Sequence, residues 1–270
     1  MRTLLVERSA GVTTITLNRP EVRNAMNVTL FEELRAVIDE AGRNPADRAL
    51  VITGAGGAFS SGGDLITPPD EAGAEAEPIP MTTLKFLRGA VADAALALHR
   101  CPKPIIAAVD GLAAGAGVCL TFACDLVLAS ETARFSLIFV RRSLCVDFAG
   151  SWLLPRIVGL HKAKELAFYG DWIDAQEASR IGVVNKVFPA SEFHAGVRAW
   201  AERLAAQPPT AIATNKQLLN NASQLSLTEA LDAEAMAQAL CTASPEFAAA
   251  IAAFMQRRTP PGGPSSAPAK

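Results

Sequence analysis

Ala107-Ala108-Val109-Asp110-Gly111-Leu112-Ala113-Ala114-Gly115-Ala116-Gly117, with Val118-Cys119-Leu120-Thr121-Phe122 directly after it, reads as a strand, a glycine-rich turn and a buried helix. The first amides of a helix have no internal partner and sit at the positive end of its dipole. A turn of this kind can therefore present an N–H to a developing oxyanion. Small residues also permit plain close helix packing, and this stretch alone leaves both readings open. The same spacing does not complete a dinucleotide-binding GxGxxG, because Leu120 holds the last position.

A second turn of similar character lies upstream. Ala58-Phe59-Ser60-Ser61-Gly62-Gly63-Asp64-Leu65 follows the apolar run Ala49-Leu50-Val51-Ile52-Thr53. Small residues let a backbone turn sharply and approach a ligand closely, although a tight turn is the plainer reading of this segment by itself. Two separate strand-to-glycine turns, each offering one N–H, can together make a two-donor oxyanion hole.

Working outward, residues 3–8 and 12–18 read as two short strands joined at Ala10-Gly11. Leu30, Phe31, Leu34, Val37, Ile38 and Ala41 recur at helical spacing, predicting a helix over 28–42 with Asn27 as its cap. Buried strands are predicted at 49–53, 104–109 and 125–129, and one late strand at 183–188. Strands that alternate with helices in this way point to α/β layering with crossover connections. Alanine-rich helices are predicted near 191–206, 209–222, 227–241 and 244–257. The expected organisation is a core over 1–190, a C-terminal helical region over 191–258 and a disordered tail over 259–270, rich in Pro, Gly and Ser. Residues 67–80 mix prolines, acids and alanines and are expected to be mobile.

Composition narrows the function classes. Half of the 270 residues are hydrophobic and 19% are charged, enough apolar material for one large domain or a domain with an appendage. A net charge of −2 without runs of like charge gives no footprint for nucleic acid or an anionic membrane. The five cysteines are odd in number and form no CxxC pair, and several have apolar neighbours, which predicts reduced, buried thiols and a cytoplasmic protein. Charge arrives too early at the N-terminus for a signal-peptide core, and no uncharged apolar stretch is long enough to span a bilayer. His99, His161 and His194 are scattered without metal-ligand spacing, so no metal is expected.

Taken together, Leu17-Asn18-Arg19-Pro20-Glu21-Val22-Arg23-Asn24-Ala25-Met26, then Ala58 to Leu65, then Ala107 to Asp125, resemble the crotonase (enoyl-CoA hydratase/isomerase) superfamily in order and spacing. Pro155-Arg156-Ile157-Val158-Gly159 and Ala175 to Phe188 resemble it too, so the likeness spans about residues 3–257. The resemblance implies an α/β, crotonase-like ββα spiral with a C-terminal helical region used in trimerisation, giving a homotrimer or a dimer of trimers. It implies an acyl-CoA thioester as substrate, with coenzyme A entering as part of it and no separate cofactor. Carried over by motif, Gly63 and Ala116 donate the two oxyanion N–H groups. Arg23 and Ala25 line the CoA groove, and Ser61, Asp64 and Leu65 border the adenine and pantetheine.

The departures from the pattern are informative. Hydratases of the family activate water with two glutamates, and this chain has Cys119 and Phe139 in their places. Neither can act as a carboxylate base. One carboxylate remains nearby, Asp147 in Cys145-Val146-Asp147-Phe148-Ala149-Gly150-Ser151-Trp152-Leu153-Leu154-Pro155-Arg156. By sequence alone it is as well explained as the cap of a helix beginning near Ala149. The segment is similar to phenylacetyl-CoA-pathway isomerases of the family, which carry an Asp at this place and also lack both glutamates; Val146 stands where those enzymes have a proline. The expected activity is a double-bond shift in an enoyl-CoA, with Asp147 as the single base. The alternatives are an enoyl-CoA hydratase, a ring-epoxide phenylacetyl-CoA isomerase, or a non-catalytic acyl-CoA-binding protein.

Overall fold

The structure, a computed structural model, describes residues 1–64 and 79–258. Its strands are β1 (Leu4–Ser9), β2 (Val12–Leu17), β3 (Ala49–Gly54), β4 (Ile105–Val109), β5 (Leu112–Ala114), β6 (Leu126–Ser130), β7 (Arg134–Ser136), β8 (Ile173–Asp174) and β9 (Lys186–Phe188). The main sheet runs β1-β2-β3-β4-β6-β9, parallel throughout except for the antiparallel β1–β2 hairpin. A second, three-stranded sheet pairs β5 with β7 in parallel and β7 with β8 antiparallel.

The helices are α1 (Val28–Arg43), α2 (Ile79–Phe86), α3 (Ala92–Arg100), α4 (Ala116–Ala123), α5 (Gly150–Val158), α6 (Leu160–Tyr169), α7 (Ala175–Arg180), α8 (Phe193–Ala205), α9 (Pro209–Asn221), α10 (Leu227–Thr242) and α11 (Pro245–Arg258). One π-helical turn, Leu87–Val91, joins α2 to α3. In α1 the periodic residues Leu30, Phe31, Leu34, Val37, Ile38 and Ala41 are all buried, and the Asn27 side chain accepts the Leu30 N–H as predicted.

The central strands are apolar without alternation because both faces of the sheet are covered. Leu50, Ile52, Ile105, Ala107 and Val109 face the larger core, with α1 and α4. Val51, Ile106, Ala108 and Leu128 face the other way and meet Phe193, Val197 and Ala201 of α8. That packing moves the expected boundary at 190. The chain forms two compact units, Met1–Gln207 and Pro208–Lys270, and α8 belongs to the first as a cover of its sheet. In the second unit, Ser226 and Glu229 close a reciprocal cap on α10, which buries none of its residues and exposes Leu227, Leu231, Met236 and Leu240.

Several elements were not readable in advance. The helical stretch 79–100 and the second sheet were not predicted, since strands of two or three residues carry no periodicity to detect. The Asp125 carboxylate accepts the Ile105 N–H at 2.8 Å while its own N–H donates to Ile105 O, pinning the exit of α4 to the start of β4. Of the segment 67–80 only Ile79 and Pro80, which open α2, lie within the described residues, and the tail 259–270 lies outside them.

Candidate active site

The two glycine turns meet backbone to backbone. Ala114 N–H donates to Ser60 O at 2.9 Å, extending β5 beside residues 59–60. Gly62 takes φ +102°, and a Cβ there would stand 2.8 Å from Ala114 O and 3.4 Å from Ala116 N. Gly115 takes φ 53° with ψ −126°, a conformation closed to side-chain-bearing L-residues, and its N–H is held by Ser136 O of β7. The second sheet thus fixes the turn from which α4 starts. Among the described residues no acceptor takes the N–H of Gly63 or of Ala116. Among the described residues no atom stands within 4 Å of where a Gly63 Cβ would be, and Ala116 is buried at the first turn of α4.

A third segment is folded against these turns. Arg23 and Asn24 both take left-handed φ values, 53° and 55°. Asn24 is the internal anchor: its side-chain NH2 donates to Ala55 O and Ala58 O at 2.8 Å each, and its Oδ1 accepts the Arg19 N–H. Ser61 N–H donates to Arg23 O, Met26 N–H to Gly62 O and Asp64 N–H to Met26 O. Arg23, Ala25, Ser61, Gly63, Asp64 and Ala116 are therefore brought together by hydrogen bonds across three segments of chain. Arg23 is exposed, Ala25 is buried, and the Asp64 carboxylate is turned inward to Arg19 rather than outward. Leu65 lies outside the described residues.

Asp147, just ahead of α5, lies near α4. Cys119, one turn into that helix, is buried; a Cβ on Gly150 would stand 2.5 Å from its sulfur. Burial pushes the Cys119 thiol well above its ordinary range, and the negative charge of Asp147 raises it further. The thiolate is excluded and Cys119 acts as an apolar wall. Phe139 is buried as well, its ring edge 3.9 Å from where a Gly115 Cβ would be. Burial raises the Asp147 carboxyl from 3.8 to about 6, against a hydrogen bond from its own backbone N–H that favours ionisation. Its Oδ1 is buried and accepts no hydrogen bond among the described residues.

The capping explanation of Asp147 is not what the structure contains. Ala149, in a left-handed conformation, holds the N-cap position of α5, and no side chain caps that helix. Gly150 N–H donates to the backbone carbonyl of Asp147 at 2.8 Å, leaving its carboxylate uncommitted to the helix. Trp152 is half-buried between the Arg156 guanidinium, 3.8 Å above its ring, and the edge of His99. Among the described residues no group of His, Cys, Asp and Glu is arranged to hold a metal ion. Sequence reasoning did not single out Arg19 or Asn24. The only signal was their place in the run Leu17 to Met26, because their partners lie 31 to 45 residues away.

Comparison with known proteins agrees with this fold. The model of the family described as enoyl-CoA hydratase/isomerase matches residues 7–262. A Rhodobacter capsulatus protein named "Probable enoyl-CoA hydratase" is 38% identical, covering 96% of this chain and 96% of its own. The 1,2-epoxyphenylacetyl-CoA isomerase of Escherichia coli is 33% identical, covering 96% and 98%. The crystal structure of an enoyl-CoA hydratase from Mycobacterium smegmatis superposes with a TM-score of 0.87 at 30% identity, covering 96% and 98%.

Proposed function

The chain belongs to the enoyl-CoA hydratase/isomerase family, and from that premise we propose that it shifts the double bond of an enoyl-CoA with Asp147 as the only acid–base group. The thioester oxygen sits between the Gly63 and Ala116 amides, which carry the negative charge of the enolate. The ionised Asp147 takes the α-proton of a β,γ-enoyl-CoA and returns it at the γ-carbon, so the product is the α,β-enoyl-CoA and the carboxylate is regenerated. Arg23, Ala25 and Ser61 border the CoA portion. One observation carries this reading: a carboxyl raised to about 6, with an orphaned buried oxygen, stands beside a site whose two hydratase positions are filled by Cys119 and Phe139. At neutral pH such a carboxyl is about nine-tenths ionised, and a pKa near the working pH suits a group that must both take and return a proton.

Relatives named as hydratases argue for water addition, but that reaction needs a positioned and activated water, and this site has an apolar wall where carboxylates would hold it. A phenylacetyl-CoA ring epoxide is the second reading, favoured by the 33% identical relative named for that substrate. The test is turnover of β,γ-enoyl-CoAs, α,β-enoyl-CoAs and phenylacetyl-CoA derivatives by the purified protein. Conversion of the first with little hydration of the second supports the proposal. Binding of all three with conversion of none overturns it.

A further inference from the structure

We propose that Arg19 is a positioning residue whose guanidinium ties the ligand-facing loop 19–26 to the oxyanion amide of Gly63. The inference rests on the enolate reading above. Arg19 Nη1 donates to Asp64 Oδ2 at 2.8 Å and to Ala25 O at 2.6 Å, so one nitrogen bridges both segments. The pair is internal: the Arg19 side chain is 14% exposed and that of Asp64 5%.

Gly63 has no side chain to anchor it, and no described residue stands within 4 Å of where its Cβ would be. Its peptide is aimed by what grips its neighbours. On one side, Gly62 O accepts the Met26 N–H. On the other, Asp64 gives its N–H to Met26 O and its carboxylate to Arg19. Arg19 is itself held at both ends, its backbone N–H going to Asn24 Oδ1 and its side chain to Ala25 O. Movement of the 19–26 loop is thereby passed to the peptide that presents the Gly63 N–H. Lysine at position 19 would keep the charge but replace the planar guanidinium fork with a point charge on a flexible stem.

An oxyanion donor acts only when aimed at the oxygen, and losing one costs about 100- to 1,000-fold in rate. Mis-aiming should cost part of that. Arg19→Gln is expected to lower kcat for the β,γ-enoyl-CoA by roughly 10- to 100-fold, with KM and the Kd of free CoA within about threefold of wild type. Arg19→Lys should fall in between.

The readout that a merely structural role would not move is spectroscopic. Acetoacetyl-CoA forms an enolate with its own near-ultraviolet band, and the fraction of bound probe in that form reports the oxyanion donors without requiring turnover. The band should fall in the order wild type, Arg19→Lys, Arg19→Gln at saturating probe. Folded variants with wild-type band and kcat overturn the inference. So does a rise in KM and CoA Kd at unchanged kcat, or a lowered melting temperature alone. If Arg19→Gln does not fold, Arg19→Lys and Asp64→Asn are read instead, and a full wild-type band in both overturns it. If wild type binds acetoacetyl-CoA and raises no enolate band, the enolate reading fails rather than the role of Arg19.

Discussion

Asp147→Asn separates a catalytic carboxyl from a structural one through stability as well as rate. The folded protein holds the Asp147 proton up to about pH 6, whereas an ordinary aspartate releases it at 3.8. Below 3.8 both states are protonated and the residue is neutral to stability. Between 3.8 and about 6 the unfolded chain ionises first, so stability falls as pH rises. Above that window the deficit is constant. At about 1.4 kcal/mol per tenfold change in the ionisation equilibrium, it amounts to about 3 kcal/mol. Asn cannot ionise, and whatever its amide costs in that site does not change with pH. The stability of Asp147→Asn minus that of wild type should therefore grow by about 2–3 kcal/mol between pH 4 and pH 7.5. Chemical denaturation at the two pH values measures it. Isomerase turnover of the same variant should drop by roughly two to four orders of magnitude, with CoA-ester affinity retained. A difference flat with pH would refute the desolvation argument. Near-wild-type turnover would place the base elsewhere.

The remaining predictions concern rate, strain and assembly. The kcat/KM of wild type should rise with pH through a midpoint near 6, because Asp147 must be ionised to take the first proton; a profile flat from pH 5 to 8 contradicts that. Hydration of a short α,β-enoyl-CoA should be slow or absent, and turnover of roughly hundreds per second would show that Cys119 and Phe139 do not block a water. Gly62→Ala should destabilise by roughly 2–3 kcal/mol in urea denaturation, since it combines φ +102° with a contact of 2.8 Å to Ala114 O. The exposed apolar faces of α10 and α11 should be covered by other copies, so light scattering should give three or six times 28.3 kDa, and a monomer would contradict it.

The sequence by itself determined the elements that are locally encoded. The period of Leu30 to Ala41 and the Asn27 cap specify α1, and the unbroken apolar runs specify β3 and β4 as strands covered on both faces. The glycines marked both turns, because only their backbones enter the conformations seen at Gly62 and Gly115. Cys119 and Phe139 could be read as replacing carboxylates only through the resemblance of their motifs to the family's. Tertiary structure decided the rest. The short strands β5, β7 and β8 exist only through one another, their pairing being a long-range event that no local propensity records. Arg19 became part of the site only when folding brought Asp64 to it across 45 residues of chain. Whether Asp147 capped a helix or stood as a partly buried carboxyl was undecidable in sequence, since both readings ask for the same residue before the same helix. Desolvation by surrounding side chains decided it, and that is a property of packing.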